Sequence, residues 1–368
     1  MLNSYEQDAL WKYGLVVRIM CEVITLKHFS EINLNDPFFD SLKEDYSGFE
    51  DWFHKKSSKS ALIQYVDNHI QAFLYLKNES GEELKDVTPT LPACRWLKVG
   101  TFKIEAHNTK LGERFIKKIM DCAIYGKFDS IYVTVLPKHS FLIQLLEKYG
   151  FEQKAKKGEE LVLVKNMKRL CGDILKDYPL LQTTNKRKFV LSIYPKYHTR
   201  LFPDSILRTE QNVRKELIKD VSYTNSIHKV YLCFMPRTSE LRQGDLIAIY
   251  RTNDGFGPAR YRSVITSICQ VEEVKTKDDF KDVNEFVKYT NAYSIFDPIE
   301  LRRWYRMRNV IVIRMTYNIA LNKRVTRGFL LDEVGISPDL YWGFFQLNDE
   351  QFKAILKKGE IDENIIIN

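Results

Sequence analysis

The sequence predicts an α/β domain with a mixed central sheet, followed by a mainly β domain carrying peripheral helices. Three observations lead there. The stretch from Arg95 to Phe151 reads as strand, glycine turn, helix, strand, helix. The chain has 368 residues, more than one ordinary core accommodates and about right for two domains. Between Lys168 and Lys188 a zone holding Gly172, Pro179 and the polar run Gln182 to Asn185 divides the chain, and the pattern after it turns mainly β. The expected boundaries are residues 1–170, a linker at 171–187, and residues 188–368.

Trp96 to Ala106 is rich in β-branched and aromatic residues, which suit a buried pleated strand. His107 to Gly112 interrupts it with turn-tolerant Asn, Thr and Gly. Glu113 to Tyr125 then sets Phe115, Ile116, Ile119, Met120 and Ala123 on one helical face, and Gly126 stops it. Ser130 to Leu136 is a second apolar strand, and Phe141 to Tyr149 a second helix closed by Gly150 and Phe151. Upstream, Val16 to Leu26 reads as a first strand, Phe29 to Leu42 as a short helix or loop, and Ser47 to Ser60 as a helix running into a basic turn. Ala61 to Val66 and Ile70 to Lys77 alternate about a turn and predict a hairpin, while Gly81 to Pro92 predicts a loop. Glu159 to Met167 is the last strand expected before the boundary. A strand–turn–helix–strand unit sets the N–H groups of a helix start beside a strand's C-terminal end, an arrangement that binds phosphate.

Composition narrows the function classes. Hydrophobic residues make up 44% and aromatic residues 13%, enough for packed cores. No apolar run approaches the roughly 18 residues that a membrane span requires. The N-terminal stretch lacks a basic-then-apolar signal pattern. Six scattered cysteines, with no C-x-x-C pair, fit reduced thiols and a cytoplasmic location, and predict no metal site. The net charge of +8 permits a polyanionic partner without requiring one.

The element order of residues 16–167 resembles the GNAT family of acyl-CoA N-acyltransferases. That family's turn signature, Arg or Gln followed by x-x-Gly-x-Gly or Ala, falls on His107, Asn108, Thr109, Lys110, Leu111 and Gly112, with His in place of Arg or Gln. Its later pattern, Asn-x-x-Ala-x-x-Leu-Tyr-x-x-x-Gly-Phe, falls on His139 to Phe151, with Gly150 and Phe151 matching. The resemblance implies an acetyl-CoA site: His107, Lys110, Leu111, Gly112, Glu113 and Arg114 at the pyrophosphate, and Val133, Thr134 and Val135 along a gap where two central strands splay around pantetheine. Gly112 is expected to keep that turn clear of a side chain, and Lys110 and Arg114 to supply positive charge. The family's frequent general-acid Tyr falls on Leu146, which cannot donate a proton. Tyr149, His139 and Tyr132 are the candidate acids, and Glu105 the candidate base, with a surface pair to Lys103 as the alternative reading of Glu105.

Beyond the boundary, Lys188 to Tyr197 followed by Leu201 to Ser205 resembles the opening of an ASCH domain, a PUA-like β-barrel. The family's Gly-x-Lys-x-x-Glu-x-Arg segment is not intact, since Leu207, Arg208, Thr209 and Glu210 stand there. The resemblance therefore implies RNA binding and no hydrolase. Lys188, Lys196 and Arg200 near the first strand, and Arg302, Arg303 and Arg306 interleaved with Trp304 and Tyr305, are the candidate RNA contacts, basic groups for phosphates and rings for bases. The Arg302 segment also reads as a solvated basic helix with Trp304 in the core. Two functions follow. One is an N-acetyltransferase whose second domain recognises an acceptor, RNA-linked in the sharpest form. The other is a catalytically degenerate protein that binds acetyl-CoA or RNA and partners another protein, as in toxin–antitoxin or stress systems.

Overall fold

The computed structural model describes residues 24–66, 68–105, 110–205 and 226–368. The start of the expected first strand at Val16, the turn residues His107, Asn108 and Thr109, and the segment Leu207 to Glu210 lie outside the described residues. Two compact units are present, Met1–Lys168 and Arg169–Asn368.

The first unit holds strands β1 (Ile24–His28), β2 (Ser60–Val66), β3 (His69–Asn78), β4 (Trp96–Ile104), β5 (Ser130–Val135), β6 (Glu152–Lys157) and β7 (Glu160–Asn166). Its helices are α1 (Asp40–Asp45), α2 (Phe49–His54), α3 (Leu111–Tyr125) and α4 (Ser140–Lys148). The strands form one sheet in the order β1-β2-β3-β4-β5-β7-β6. Every pairing is antiparallel except β4 with β5, the two strands joined by the α3 crossover. The apolar stripe of α3 buries Phe115, Ile116, Ile119 and Met120 completely. Phe38 and Phe39 join Phe29, Phe49, Phe53 and Phe73 in an aromatic core beside α1 and α2. β6 escapes a pattern reading because Glu152 to Lys157 (EQKAKK) has almost no apolar residue; it is an edge strand paired with β7 and bridged to Thr88 at Lys156.

The second unit holds β8 (Lys188–Ile193), β9 (His228–Cys233), β10 (Leu246–Arg251), β11 (Val264–Thr276), β12 (Ile311–Thr326) and β13 (Phe344–Leu347). Its helices are α5 (Ile174–Asp177), α6 (Pro195–Leu201), α7 (Ala259–Arg262), α8 (Val283–Asn291), α9 (Pro298–Arg306), α10 (Arg327–Asp332) and α11 (Asp349–Lys358). The sheet order is β13-β8-β10-β11-β12-β9, with β8 and β10 parallel. Every residue of β8 and β10 is buried. Alternate residues feed two cores, Phe189, Leu191, Ile247 and Ile249 toward α6, and Val190, Leu246, Ala248 and Tyr250 toward α10 and α11. The expected barrel is not closed among the described residues, since no pairing joins β13 back to β9. The architecture is thus mixed α/β in both units. Phe344 and Phe345 of β13 are buried, one in each of these two cores.

At the end of β10, Arg262 donates two hydrogen bonds to Asp254, at 2.5 and 2.6 Å. These bonds hold the Asp254 carboxyl down at about 2. A depressed carboxylate adds stability above its unfolded value of about 4, and loses it as pH falls through its folded value. Asp254→Asn is therefore expected to be less stable than the parent at pH 7, with the gap closing toward pH 2 in urea titrations. A gap that does not change with pH would contradict this account of the pair.

Candidate active site

The site begins where the sheet's one parallel pairing among described strands stops. Trp96, Leu97, Lys98 and Val99 of β4 pair with Ser130, Ile131, Tyr132 and Val133 of β5, and the pairing ends there. Past that point β4 stays bonded to β3 through Ile104, and β5 stays bonded to β7 through Val135. Two strand edges thus face each other across a gap. The cause is local. The β3–β4 register shifts between Tyr75 and Leu76, which face Thr101 and Val99, so Gly100 is bulged out of the ladder. A Cβ on Gly100 would meet Tyr75 Cδ1 at 2.8 Å, which is why only glycine fits the bulge.

The gap opens into a cavity of about 1080 Å³, lined by Val99 to Ile104 on one side and Val133 to Val135 on the other. At one end lies the first turn of α3, with Lys110, Gly112 and Glu113 on the cavity wall. A 15-residue helix presents the positive end of its dipole there. At the opposite wall stand α1, α2 and the residues between them, including Asp45, Tyr46, Phe49 and Trp52. His139, which precedes the first residue of α4, reaches the cavity, and its Nε2 lies 3.1 Å from Asp45 Oδ2. The Asp45 carboxylate is nearly enclosed, at 6% side-chain exposure, and also accepts a hydrogen bond from Lys138. Tyr46 donates to Glu160 Oε1 at 2.9 Å. Burial first, then the Glu160 charge, raises the Tyr46 phenol above its ordinary range, so it stays protonated.

No protein-family model matches the chain, and no curated protein matches it. Among solved structures, 46% of the chain is similar to 94% of the ASCH protein from Zymomonas mobilis, at 11% identity and a TM-score of 0.29. A further similarity covers 39% of the chain and 99% of a PaiA N-acetyltransferase from Thermoplasma acidophilum in complex with coenzyme A, at 14% identity and a TM-score of 0.29. Another covers 39% of the chain and 94% of a GNAT-family acetyltransferase from Listeria monocytogenes, at 13% identity and a TM-score of 0.28. Similarities this weak carry no argument about activity, which has to stand on the geometry of the chain itself.

That geometry sorts the expected residues. Val133, Thr134, Val135, Lys110, Gly112, Glu113 and His139 all line the one cavity. Leu111 and Arg114 are buried and do not line it. Glu113 is 7% exposed and takes a 2.8 Å ion pair from Lys148. The glycine at 112 has a packing reason: a Cβ there would meet Leu145 Cδ2 of α4 at 2.8 Å, whereas the sequence reading placed the crowding on a ligand. Tyr149 is fully buried and absent from the cavity wall, so its phenol cannot meet a thiolate there. Glu105 pairs with Lys103 at 2.8 Å and does not line the cavity, the arrangement of its alternative reading. Tyr132 is committed to a short hydrogen bond with Glu79. The residues that sequence reasoning missed, Asp45, Tyr46, Glu79 and Glu160, carry no local signal. Asp45 lies 94 positions from His139, and only folding joins them.

In the second unit the basic residues divide as sharply. Lys188 is 3% exposed and bonded to Asp349 at 2.6 Å, because it opens a central strand; it has no surface to offer a phosphate. Arg200 is half-buried and donates to the Ile295 carbonyl at 2.6 Å. Lys196 is exposed, as are Arg302, Arg303 and Arg306 on α9, with Arg302 also donating to Asn284. Trp304 stacks on Phe234 at 4.8 Å and Tyr305 packs on Phe286, so these two rings serve packing rather than base stacking. Phe234 is itself exposed, and further exposed rings of this unit lie at Tyr194, Tyr341, Phe256 and Tyr261.

Proposed function

We propose that the first unit is an acyl-CoA-dependent N-acyltransferase and that the second unit recognises an RNA-linked acceptor. The observation that carries the first part is the gap past Val99 and Val133, whose two strand edges line a cavity that also holds His139 and Asp45. Such edges offer backbone groups to the amides of pantetheine as another strand would. The start of α3, with Lys110 beside it, would take the pyrophosphate. Asp45 holds Nε2 of His139, which leaves Nδ1 to accept the proton of the acceptor ammonium. The amine nitrogen then forms its bond to the thioester carbon, the carbon–sulfur bond breaks, the thiolate leaves, and the new amide nitrogen gives up its second proton to water. The imidazolium can return its proton to that sulfur, so a separate phenolic acid is not required. Acetyl-CoA is the acyl donor of the proposal.

The assay is release of free coenzyme A thiol from acetyl-CoA in the presence of amines and aminoacyl-tRNAs. Acetyl-CoA-dependent acylation of one acceptor supports the reading. Tight acetyl-CoA binding with no thiol release on any acceptor favours a non-catalytic regulatory protein instead.

RNA recognition draws its support from the exposed Arg302, Arg303 and Arg306 on one helix, from Lys196, and from the exposed aromatic rings of the same unit. Full-length protein is expected to bind single-stranded RNA with an affinity that falls with salt, by a slope of about −0.7 per neutralised phosphate. Changing the three arginines to Gln should flatten the slope by up to about two units. An unchanged slope would remove α9 from the interface.

A further inference from the structure

We infer that the acceptor entering the first unit's cavity carries an anionic group, a phosphate or a carboxylate, held by Lys56, Lys77 and Lys98. The inference rests on the acyltransferase reading and names the substrate class of that site.

The motivation is an excess of cations at one end of the cavity. Its wall carries six lysines, at 56, 77, 98, 103, 110 and 138, and four carboxylates, at 45, 79, 113 and 160. Three of the carboxylates are engaged elsewhere: Asp45 by Lys138 and His139, Glu113 by Lys148, and Glu160 by Tyr46. Only Glu79 stands among Lys56, Lys77 and Lys98. Its Oε1 lies 2.6 Å from Lys77 Nζ and 3.5 Å from Lys98 Nζ, and its Oε2 accepts from Tyr132. Lys56 makes no ion pair among the described residues. Burial, then the charges of Lys77, Lys59 and Lys98, hold its ammonium below the usual lysine range. Three ammonium groups around one carboxylate repel one another unless a further anion joins them, and such frustrated charge in a cleft marks binding sites.

The anion in question is not the pyrophosphate of the donor. That group belongs at the start of α3, where a Cβ on Gly112 would come within 3.7 Å of Ile104 Cδ1. Lys98 sits six residues back along β4, about 20 Å away at 3.3 Å per residue. The lysines therefore flank the far end of the splayed strands, where an acceptor approaches. Trp52 and Tyr75 wall the same region, their rings 5.9 Å apart and edge to face. Tyr75 is pushed up to about 12 by burial and by Glu79, so it is neutral and can donate one hydrogen bond.

The test uses the full chain and inorganic phosphate, with acetate as a second probe. A small amine-reactive reagent labels lysines at fixed pH, and mass spectrometry follows Lys56 against the exposed Lys353. Bound anion raises the Lys56 ammonium back toward its ordinary range. Labelling of Lys56 should slow when phosphate is added, because the free-amine fraction falls. Lys353 should not change. The Lys77→Gln, Lys98→Gln variant should lose the protection. Lys56→Gln, at a half-exposed position with no ion pair, should weaken phosphate binding measured by calorimetry by about tenfold, the worth of one charge-assisted hydrogen bond. Protection by phosphate alone assigns a phosphorylated acceptor, and protection by acetate alone a carboxylate one. Equal slowing of Lys56 and Lys353, or protection that survives in the double variant, overturns the inference. Acetyl-CoA is titrated into the same samples. If it binds while phosphate leaves Lys56 unprotected, the anion site fails alone. If phosphate protects Lys56 while acetyl-CoA does not bind, the acyltransferase reading fails alone.

Discussion

Replacing His139 with alanine is expected to lower acyl transfer by about 10²–10⁴-fold while acetyl-CoA affinity stays nearly unchanged. The physical ground is that His139 is the one imidazole on the cavity wall among the described residues and is held in orientation by a nearly enclosed carboxylate. His139 lies beyond the end of β5 at Val135, so donor binding is expected to depend on it little. Asp45→Asn should lower the rate as well, and by less, because an amide still bonds Nε2 but no longer fixes the tautomer or stabilises the imidazolium. Asp45 acts through His139 and is a positioning residue. Its readout is therefore the pH profile, which should shift in Asp45→Asn and not in a control such as Lys353→Gln, an exposed cation that does not line the cavity. Initial rates with saturating acetyl-CoA, together with calorimetric affinities, separate the two roles. A full rate in His139→Ala would move the proton transfer to another group, and Glu160 with Tyr46 would be the remaining pair on the wall.

The second large effect is expected at Gly112. An aspartate there places a carboxylate in the first turn of α3, where it complements the helix dipole by about 0.3–1 kcal/mol. Its Cβ also presses on Leu145 Cδ2 at 2.8 Å. Overpacking of this kind costs about 1–3 kcal/mol, and less where a flexible leucine end can rotate away. The variant should fold. Acetyl-CoA affinity should nevertheless fall by at least about 100-fold, because a negative charge then faces a pyrophosphate in a partly dry cavity. Gly112→Ala carries the same steric load without the charge. A large loss in the Asp variant with a small loss in the Ala variant, read by calorimetry, places the diphosphate at α3. Equal losses would make Gly112 a packing residue only.

How far these elements could be read from sequence depends on the range over which each is specified. β4, α3, β5 and α4 announce themselves because their apolar spacing is local, and each appears within a residue or two of its expected bounds. β6 does not, because an edge strand can be built from charged residues. The gap is expected from the family resemblance alone, because no local pattern encodes it. It arises from a register shift at Tyr75 that excludes Gly100, a relation between two strands. Asp45 and His139 likewise become a pair only when α1 packs beside the end of β5. Tyr149 and Lys188 show the opposite error. Nearness in sequence to a motif, or membership of a basic run, favoured them, yet one completes the core and the other pairs with Asp349, 161 positions away. The barrel expected of the second unit assumed that its strands close on themselves. Among the described residues the pairings follow two long strands, β11 and β12, whose register shifts three times, and none joins β13 to β9.

The central claim is that an acyl-CoA inserts between β4 and β5. A crystal structure of the full chain grown with coenzyme A tests it most directly. The account predicts pantetheine density between Val99 to Ile104 and Val133 to Val135, with the pyrophosphate at the first turn of α3 and the sulfur directed toward His139. Coenzyme A bound elsewhere, or β4 and β5 hydrogen-bonded along their whole length with no ligand between them, would contradict it.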